Sequence, residues 1–257
     1  MRVSIITATY NSSATVADAL RSVSRQTYQD IEHIIIDGAS VDNTLDLVKE
    51  YGSRVKIVVS ERDAGVYDAM NKGIGLATGD FIAFLNSDDI YADENVIELV
   101  IQKMETEGID ACYADLVYVK YDDTNKIVRY WKSGEFKKAN LKNGWIPPHP
   151  TFIARRNIYQ KYSSFDLNYK LAADYELMTR FISKHSIRMA YIPKVIIKMR
   201  LGGMTNKNFK NIYRQNIEIL AAAKTNGIPM SLARLGLNKI FRRGFEFIST
   251  PNNDPVR

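Results

Sequence analysis

Residues 3–9 read Val3-Ser4-Ile5-Ile6-Thr7-Ala8-Thr9 and pass directly into the polar loop Tyr10-Asn11-Ser12-Ser13. A largely β-branched and apolar run of this length is typical of a strand that is covered on both faces. Residues 16–23 follow with apolar side chains at helical spacing, and the same alternation of strand and helix recurs three more times by residue 104. We therefore predict an α/β fold with a doubly wound, mostly parallel sheet.

The four predicted strands of this first half, residues 1–106, end in polar loops. Each loop contains a carboxylate, a small polar residue or both, and the loops are residues 9–11, 37–40, 60–63 and 86–89. Ligands of doubly wound sheets bind beyond the carboxyl ends of the strands. We expect these four loops to converge on one ligand site.

The pattern changes after residue 106. Five short strands are predicted there, over residues 110–121, 126–131, 151–154, 188–192 and 195–199. A helix is predicted over residues 174–184, and the apolar spacing is helical from residue 208 onward. These patterns indicate a mixed second half of the same domain, residues 107–205, and a helical tail, residues 206–257.

The composition excludes several classes of protein. The 257 residues are 46% hydrophobic, which suffices for a core, and the single cysteine, Cys112, excludes a disulfide framework and a cysteine-based zinc cluster. No run approaches the roughly 18 apolar residues of a membrane span. Met1-Arg2 leads straight into a strand and not into a signal peptide, so we expect a cytoplasmic protein.

The basic excess of the chain lies in its last part. The net charge is +6, but the residues from Arg200 onward contain ten Lys and Arg against three Asp and Glu, and the rest contains 25 against 26. Basic and apolar residues interleave in the tail, as in Arg234, Lys239, Arg242 and Arg243. This pattern suits the anionic inner face of the cell membrane, so we expect a peripheral membrane contact there. A helix packed on the protein with a solvated basic side is the alternative.

Two adjacent carboxylates follow the predicted strand 81–85, in the block Phe84-Leu85-Asn86-Ser87-Asp88-Asp89. Carboxylates at a strand end are poorly placed to pack in an apolar core but well placed to ligate a hard cation. Mg²⁺ or Mn²⁺ takes one or two protein carboxylates and completes its shell with phosphate oxygens and water. Asp88 and Asp89 are therefore candidate metal ligands, and a cap for the next helix is the structural alternative.

Several blocks of the first ninety residues together resemble the family 2 glycosyltransferases with the GT-A fold. They are residues 3–11, Asp37-Gly38-Ala39-Ser40-Val41-Asp42-Asn43-Thr44, residues 60–73, Thr78-Gly79-Asp80 and the block ending in Asp88-Asp89. The order and spacing of these blocks match the family. The resemblance continues more loosely to about Gly203, through residues 148–152 and Ala172-Ala173-Asp174-Tyr175-Glu176-Leu177.

The resemblance implies an inverting, metal-dependent glycosyltransferase of the hexosyltransferase type. Its donor would be a nucleoside-diphosphate sugar, UDP-sugar first of all, with Mn²⁺ or Mg²⁺ as the cofactor. The first half would bind this donor, and the second half would bind the acceptor and provide the catalytic group. The acceptor would be a hydroxyl of a glycan, typically one that is linked to a polyprenyl carrier in surface polysaccharide biosynthesis.

The resemblance also implies donor contacts for residues of the first half. Asp37 would bind the edge of the base, residues 9–11 would line the same pocket, and Asp63 would lie near base and ribose. Asn86 replaces the first carboxylate of the family's metal motif, so it can hydrogen-bond a ribose but ligates a cation less strongly. The expected donor-binding residues are Thr9, Tyr10, Asn11, Asp37, Asp63, Lys72, Asn86, Ser87 and Asp88.

Inverting transfer needs a general base for the acceptor hydroxyl. In the family this base is a carboxylate that opens a helix in the second half, and Asp174 occupies that place. Asp166 is the competing carboxylate, and a helix cap is the structural alternative for Asp174. His149 lies between two prolines and is expected to contact the metal or the pyrophosphate, with a packed histidine as the alternative.

Other functions fit the sequence less well. A dinucleotide-dependent dehydrogenase needs Gly-x-Gly-x-x-Gly after the first strand, and residues 7–12 contain no glycine. A sugar nucleotidyltransferase needs a Gly-rich N-terminal loop, which Tyr10-Asn11-Ser12-Ser13 is not. The alternative that the chain is a non-catalytic protein that binds a nucleotide-sugar or a nucleic acid stays open. We expect no nucleic acid partner, because the acidic strand-end loops repel phosphates unless a cation is present.

Overall fold

The protein is described from a computed structural model that defines residues 1–202, 209–232 and 235–236. Within these residues, nine strands form one sheet: β1 (Val3–Thr9), β2 (Ile31–Asp37), β3 (Val55–Ser60), β4 (Phe81–Phe84), β5 (Ile90–Tyr91), β6 (Ala111–Val119), β7 (Ile127–Trp131), β8 (Ile153–Arg155) and β9 (Met189–Arg200). The strand order is β3-β2-β1-β4-β8-β6-β9-β5, and β7 pairs with β6 beside this path.

Seven α-helices accompany the sheet in the same described residues: α1 (Val16–Ser24), α2 (Thr44–Tyr51), α3 (Val66–Leu76), α4 (Val96–Glu107), α5 (Arg156–Tyr162), α6 (Ala173–Thr179) and α7 (Phe209–Thr225). A short π-helical turn, Arg180–Lys184, extends α6. The doubly wound α/β architecture predicted from the sequence is confirmed.

The first half contains a parallel four-stranded unit in which β1 lies between β2 and β4. Alternate residues of β1 face two different apolar cores, with Ile6 in one and Ile5 in the other. Both side chains are buried, and full burial of such a side chain stabilises the fold by roughly 2 kcal/mol. Both faces of β1 are therefore covered, whereas the edge strand β3 leaves alternate residues exposed.

The second half continues the sheet with a change of direction. β8 runs antiparallel to both β4 and β6, and β6 is parallel to β9. The two strands predicted at 188–192 and 195–199 are wrong as separate elements, because β9 is continuous from Met189 to Arg200. The predicted strand at 151–154 begins only at Ile153, since Thr151 belongs to a 3₁₀ turn, His149–Thr151.

The tail begins with α7, which packs on the second half. Its Ile219, Ala222 and Ala223 are buried in the same core as Phe84, and Leu235 further along is buried there as well. The helix α7 is therefore packed on the protein, but the two alternatives for the basic stretch from Arg234 onward are not decided by it. Residues 237–257, with Lys239, Arg242 and Arg243, and also Arg234, lie outside the described residues, so the membrane contact stays a prediction. Among the described residues, no helix combines the length and apolar character needed to cross a membrane.

Candidate active site

The polar loops at the strand ends of the first half converge, as expected. The backbone N–H of Asn11 donates to Ser40 Oγ at 2.8 Å, and Asn11 Oδ1 accepts from the N–H of Val41 at 3.0 Å. The Oγ atoms of Ser12 and Ser87 lie 2.9 Å apart, which joins the loop after β1 to the block with the adjacent carboxylates. These contacts build one polar surface from loops up to 75 residues apart in the chain.

Asp37 is the centre of this surface. Its Oδ1 accepts from Thr9 Oγ1 at 2.9 Å and Ser40 Oγ at 2.5 Å, and its Oδ2 accepts from the Ser40 N–H at 2.9 Å and Ser60 Oγ at 2.7 Å. Burial alone would raise the pKa of Asp37, but the hydrogen bonds from Ser40, Ser60 and Thr9 outweigh it and hold the pKa below its usual range.

A carboxylate offers about four lone-pair positions, and these four hydrogen bonds use them. Asp37 therefore ties the ends of β1, β2 and β3 together. Its expected contact with the edge of a base stays a prediction, and that contact requires one of the present donors to be exchanged.

An open aromatic face lies next to Asp37. The Tyr10 side chain is 66% exposed. A Cβ atom placed on Gly38 would lie 2.7 Å from Asp63 Oδ2 and 3.3 Å from Tyr10 Cδ2, so the glycine leaves a cradle between the ring and the carboxylate. Asp63 Oδ1 accepts from the N–H of Gly65 at 2.9 Å. A planar base can stack on such a ring while a neighbouring carboxylate binds a sugar hydroxyl.

Lys72 of α3 points to a different partner than expected. Its Nζ lies 2.7 Å from Glu61 Oε1 and donates to the carbonyl oxygen of Arg62 at 3.1 Å. The ammonium group thus ties α3 to the loop after β3. The expected contact of Lys72 with the donor stays a prediction.

Asp89 is fully buried within the strand-end block. Its Oδ2 accepts from Asn86 Nδ2 at 2.8 Å, and its buried Oδ1 has no hydrogen-bond partner in the described part of the chain. Burial first, and then the nearby charge of Asp88, raises the pKa of Asp89 to about 8. In the present arrangement Asp89 is therefore turned into the protein and bound to Asn86.

Asp88 is partly exposed and is fixed through its backbone. Its carbonyl oxygen accepts from Arg200 Nη1 at 3.0 Å, and Arg200 Nη2 lies 2.5 Å from Asp18 Oδ2 on α1. Arg200 is only 5% exposed and comes from the end of β9. This buried arginine therefore connects α1, the Asp88 loop and the last strand. Arg200 could not be recognised from the sequence as part of this site, because a lone basic residue at a strand end carries no pattern.

The predicted metal set of Asp88, Asp89 and His149 is not brought together. In residues 1–202, 209–232 and 235–236, no group of three or more His, Cys, Asp or Glu side chains could hold a metal ion. The donor set therefore does not fit a metal cage made of protein alone. The expected contact of Asp88 with a cation that comes with a diphosphate stays a prediction.

His149 belongs to an aromatic cluster. Its ring stacks on Phe84 at a centroid distance of 5.3 Å and meets Phe165 edge-on at 5.6 Å. The Nε2 atom is buried and accepts or donates no hydrogen bond among the described residues. Burial lowers the pKa of His149, and the charge of Asp174 opposes this in part. His149 is therefore packed among aromatic side chains, as the alternative prediction had it. Its contact with a metal or a pyrophosphate stays a prediction.

Asp174 lies in the first turn of α6 and is partly exposed. Its Oδ1 accepts from the Tyr67 hydroxyl at 3.1 Å and from the N–H of Tyr175 at 2.8 Å. Within the described ranges, both of these hydrogen bonds are to Oδ1. Tyr67 lies in the first turn of α3, two residues after Gly65. The bond between Tyr67 and Asp174 thus brings a carboxylate of the second half to the loop that carries Asp63.

Two neighbouring acids are engaged elsewhere. Asp166 Oδ1 accepts from the N–H and the Nδ2 of Asn168, so it organises its own turn. Glu176 pairs with Arg180 at 2.9 Å and is buried. Asp166 is partly exposed, as Asp174 is, so it stays the competing carboxylate, but its bonds lie within its own turn whereas Asp174 binds Tyr67 of the first half. Tyr67 lies in the block of residues 60–73 that resembles the family, but its contact with Asp174 could not be read from the sequence.

Comparisons with known proteins place this chain in a class, the glycosyltransferases with the GT-A fold. The family model described as "Glycosyl transferase family 2" matches residues 4–163, and the chain belongs to this family. Family membership favours the expected glycosyltransferase over the dehydrogenase and the nucleotidyltransferase that were considered.

Two curated relatives cover most of the chain. A "PGL/p-HBAD biosynthesis glycosyltransferase" of Mycobacterium bovis is 30% identical over 209 residues, which are 79% of this chain and 78% of the relative. The "UDP-Glc:alpha-D-GlcNAc-diphosphoundecaprenol beta-1,3-glucosyltransferase WfgD" of Escherichia coli is 31% identical over 218 residues, which are 83% of each chain. Glycosyltransferases of glycan biosynthesis are thus among the relatives of this protein.

Two solved structures share its fold. S. aureus TarS 1–349 in complex with UDP superposes with a TM-score of 0.65 at 18% identity, over 96% of this chain and 72% of TarS. The mannosyltransferase PcManGT from Pyrobaculum calidifontis, in complex with GDP-Man and Mn²⁺, has a TM-score of 0.64 at 16% identity, over 94% of this chain and 69% of PcManGT. At these identities the likeness concerns the fold alone.

Proposed function

We propose that this glycosyltransferase moves a sugar from a UDP-sugar to a hydroxyl of a lipid-linked glycan, with inversion at the anomeric carbon. The observation that carries the proposal is the hydrogen bond between Tyr67 and Asp174, because it brings a partly exposed carboxylate of the second half beside the polar loops of the first half. A donor site and a general base at its edge are what a single displacement requires.

The donor assignment is supported by the polar surface around Asp37. The exposed Tyr10 ring would stack on the base, and Asp63 across the Gly38 cradle would bind the ribose. The choice of UDP is supported by the E. coli relative, whose name specifies UDP-Glc, and by the TarS complex with UDP. The lipid-linked acceptor is supported by the same relative, whose name specifies a diphosphoundecaprenol acceptor.

The proposed reaction is one displacement. Asp174 accepts the proton of the acceptor hydroxyl, and the acceptor oxygen forms a bond to the anomeric carbon while the bond from that carbon to the diphosphate oxygen breaks. Attack from the face opposite the leaving group inverts the configuration, and the nucleoside diphosphate leaves with the bonding electron pair. Negative charge develops on the leaving diphosphate. Mn²⁺ or Mg²⁺ held by Asp88 and by phosphate oxygens would stabilise that charge.

The test combines a donor panel with two acceptors. UDP-, GDP- and TDP-sugars are offered with a polyprenyl-diphosphate-linked sugar and with the same sugar as a soluble glycoside, and NMR determines the anomeric configuration of the product. We expect transfer from a UDP-sugar to the lipid-linked acceptor with inversion, and calorimetric UDP binding that strengthens when Mn²⁺ is added. Retention of configuration, or equal transfer without any divalent cation, would contradict the proposal.

A further inference from the structure

The helix α7 of the tail contacts the segment that carries Asp174. Glu218 Oε2 accepts from the N–H of Leu171 at 2.7 Å and from the N–H of Ala172 at 3.0 Å. These two residues directly precede α6, whose first turn contains Asp174. Glu218 lies 46 and 47 residues further along the chain than the groups that it binds.

This contact replaces a cap that α6 lacks in its own sequence. The first N–H groups of a helix have no partner within the helix, and Ser, Thr, Asp or Asn usually provides one from the N-cap position. Here the N-cap residue is Ala172, which has no side-chain oxygen. In a capping box a glutamate of the helix reaches back to the N-cap N–H. Glu218 makes the same type of bond from another helix, and its charge strengthens it.

Further bonds hold the same two helices together. Gln215 Nε2 donates to the carbonyl oxygen of Leu171 at 3.2 Å, so α7 binds both backbone groups of that residue. Asn226, just after α7, donates to Glu176 Oε1 at 3.3 Å and to Thr179 Oγ1 at 3.2 Å. The tail thus contacts α6 before its first turn and again at its later residues. Asp174 itself is bound only by Tyr67 and by its neighbour Tyr175 among the described residues.

We propose that Glu218 is a positioning residue, which fixes the entry into α6 and thereby the direction of the Asp174 carboxylate. The inference rests on the proposed function, in which Asp174 is the general base. A general base must lie within hydrogen-bond reach of the proton that it removes, and a displacement of about 1 Å can lower the rate about 10²-fold. The tail then contributes to turnover without contacting either substrate.

The test compares three variants by steady-state kinetics and by UDP binding. Glu218→Ala removes the acceptor and is expected to lower kcat about 10- to 100-fold, with the Kd for UDP unchanged within about twofold. Glu218→Gln keeps an oxygen that accepts the same two N–H groups, so kcat is expected within about threefold of the original protein. Glu50→Ala makes the same chemical change at an exposed position of α2 and is the matched control.

A double variant separates positioning from a general loss of structure. If Glu218 acts through Asp174, then adding Glu218→Ala to Asp174→Asn lowers kcat no further. A normal kcat for Glu218→Ala, a kcat for Glu218→Gln as low as that of Glu218→Ala, or losses that multiply in the double variant would overturn the inference. Normal turnover by Asp174→Asn alone would instead overturn the proposed function, so the two failures are distinguishable.

Discussion

Asp37 and Asp174 are the central carboxylates of the first and second halves, and they are held in different ways. Asp37 is fully buried, and its four donors come from the ends of neighbouring parallel strands and from its own loop. Asp174 is partly exposed, its Oδ1 accepts from Tyr67, 107 residues earlier, and the residues before its helix donate to Glu218 of α7. The polar surface of the first half is therefore held together by the adjoining ends of parallel strands, whereas the carboxylate proposed as the general base is held by a contact between the two halves.

This difference leads to separate expectations for binding and for turnover. Substitutions in the strand-end loops of the first half should change donor affinity. Substitutions around α6 should change kcat with donor affinity preserved, because the polar loops of the first half do not depend on α6. The variants below test that division.

The largest effect is expected from Asp174→Asn. Loss of the general base should lower kcat about 10²- to 10⁴-fold, with UDP binding preserved, as transfer assays and calorimetry can measure. Asp166→Asn is the matched control, because Asp166 bonds within its own turn and is expected to change kcat less than about threefold. Equal losses in the two variants would contradict the assignment of Asp174.

The next effect is expected from Asp88→Asn. If Asp88 holds the cation that binds the donor diphosphate, its amide should weaken UDP binding in the presence of Mn²⁺ by about 10²-fold, with a smaller effect when Mn²⁺ is left out. Asp89→Asn is the comparison, because Asp89 is buried against Asn86 and should change UDP affinity by less than about threefold. A larger effect of Asp89→Asn would show that the present arrangement of the two carboxyls changes when the donor binds.

The first half could be predicted from the sequence more fully than the second half. Apart from the two-residue β5, which was not predicted, the strands and helices of the first half agree with the predictions to within a few residues. Each is set by its own hydrophobic period and its own polar loop. Convergence of the loops also follows, because the carboxyl ends of parallel strands share one edge. The four hydrogen bonds of Asp37 could not be predicted, since they depend on side-chain directions in four places.

The second half was harder to predict for identifiable reasons. Residues Pro193 and Lys194 interrupt the apolar pattern of β9, so two strands were expected there. In the structure Ile192 pairs with Ala114 and Val195 with Asp115, and the two residues between them form a bulge that leaves the strand continuous. The helix α5 is seven residues long, too short for a recognisable period. The cap of α6 by Glu218 has no local signal at all.

The free energy of unfolding is expected to fall at acid pH because of a buried histidine in the first half. His33 is buried between β1 and β3, with Nε2 at 2.9 Å from Thr7 Oγ1, and burial lowers its pKa to about 3. Since the unfolded chain takes up a proton near pH 6.5, the stabilising contribution of neutral His33 is complete above pH 6.5 and is lost progressively as the pH falls toward 3.

Chemical denaturation at pH 7.5 and pH 5 measures this effect. The contribution of His33 to the free energy of unfolding should fall by about 2 kcal/mol between these values. His33→Gln should reduce the pH dependence. His185→Gln should retain it, because His185 is partly exposed and stacks on Tyr162 near the protein surface. An unchanged pH dependence in His33→Gln would refute the role given to His33.

The smallest effect, and the sharpest test of the division, is expected from Tyr67→Phe. Tyr67 belongs to the first half by sequence but binds Asp174, so its hydroxyl should matter for turnover and not for donor binding. Loss of one hydrogen bond of about 1 kcal/mol should lower kcat about fivefold, with the Kd for UDP unchanged. Tyr10→Phe is the matched control in the same half, because its exposed ring is kept, and both kcat and Kd should stay close to the original values. Weaker UDP binding by Tyr67→Phe with an unchanged kcat would contradict this prediction. It would mean that the Tyr67 hydroxyl acts in the donor site of the first half and not through Asp174.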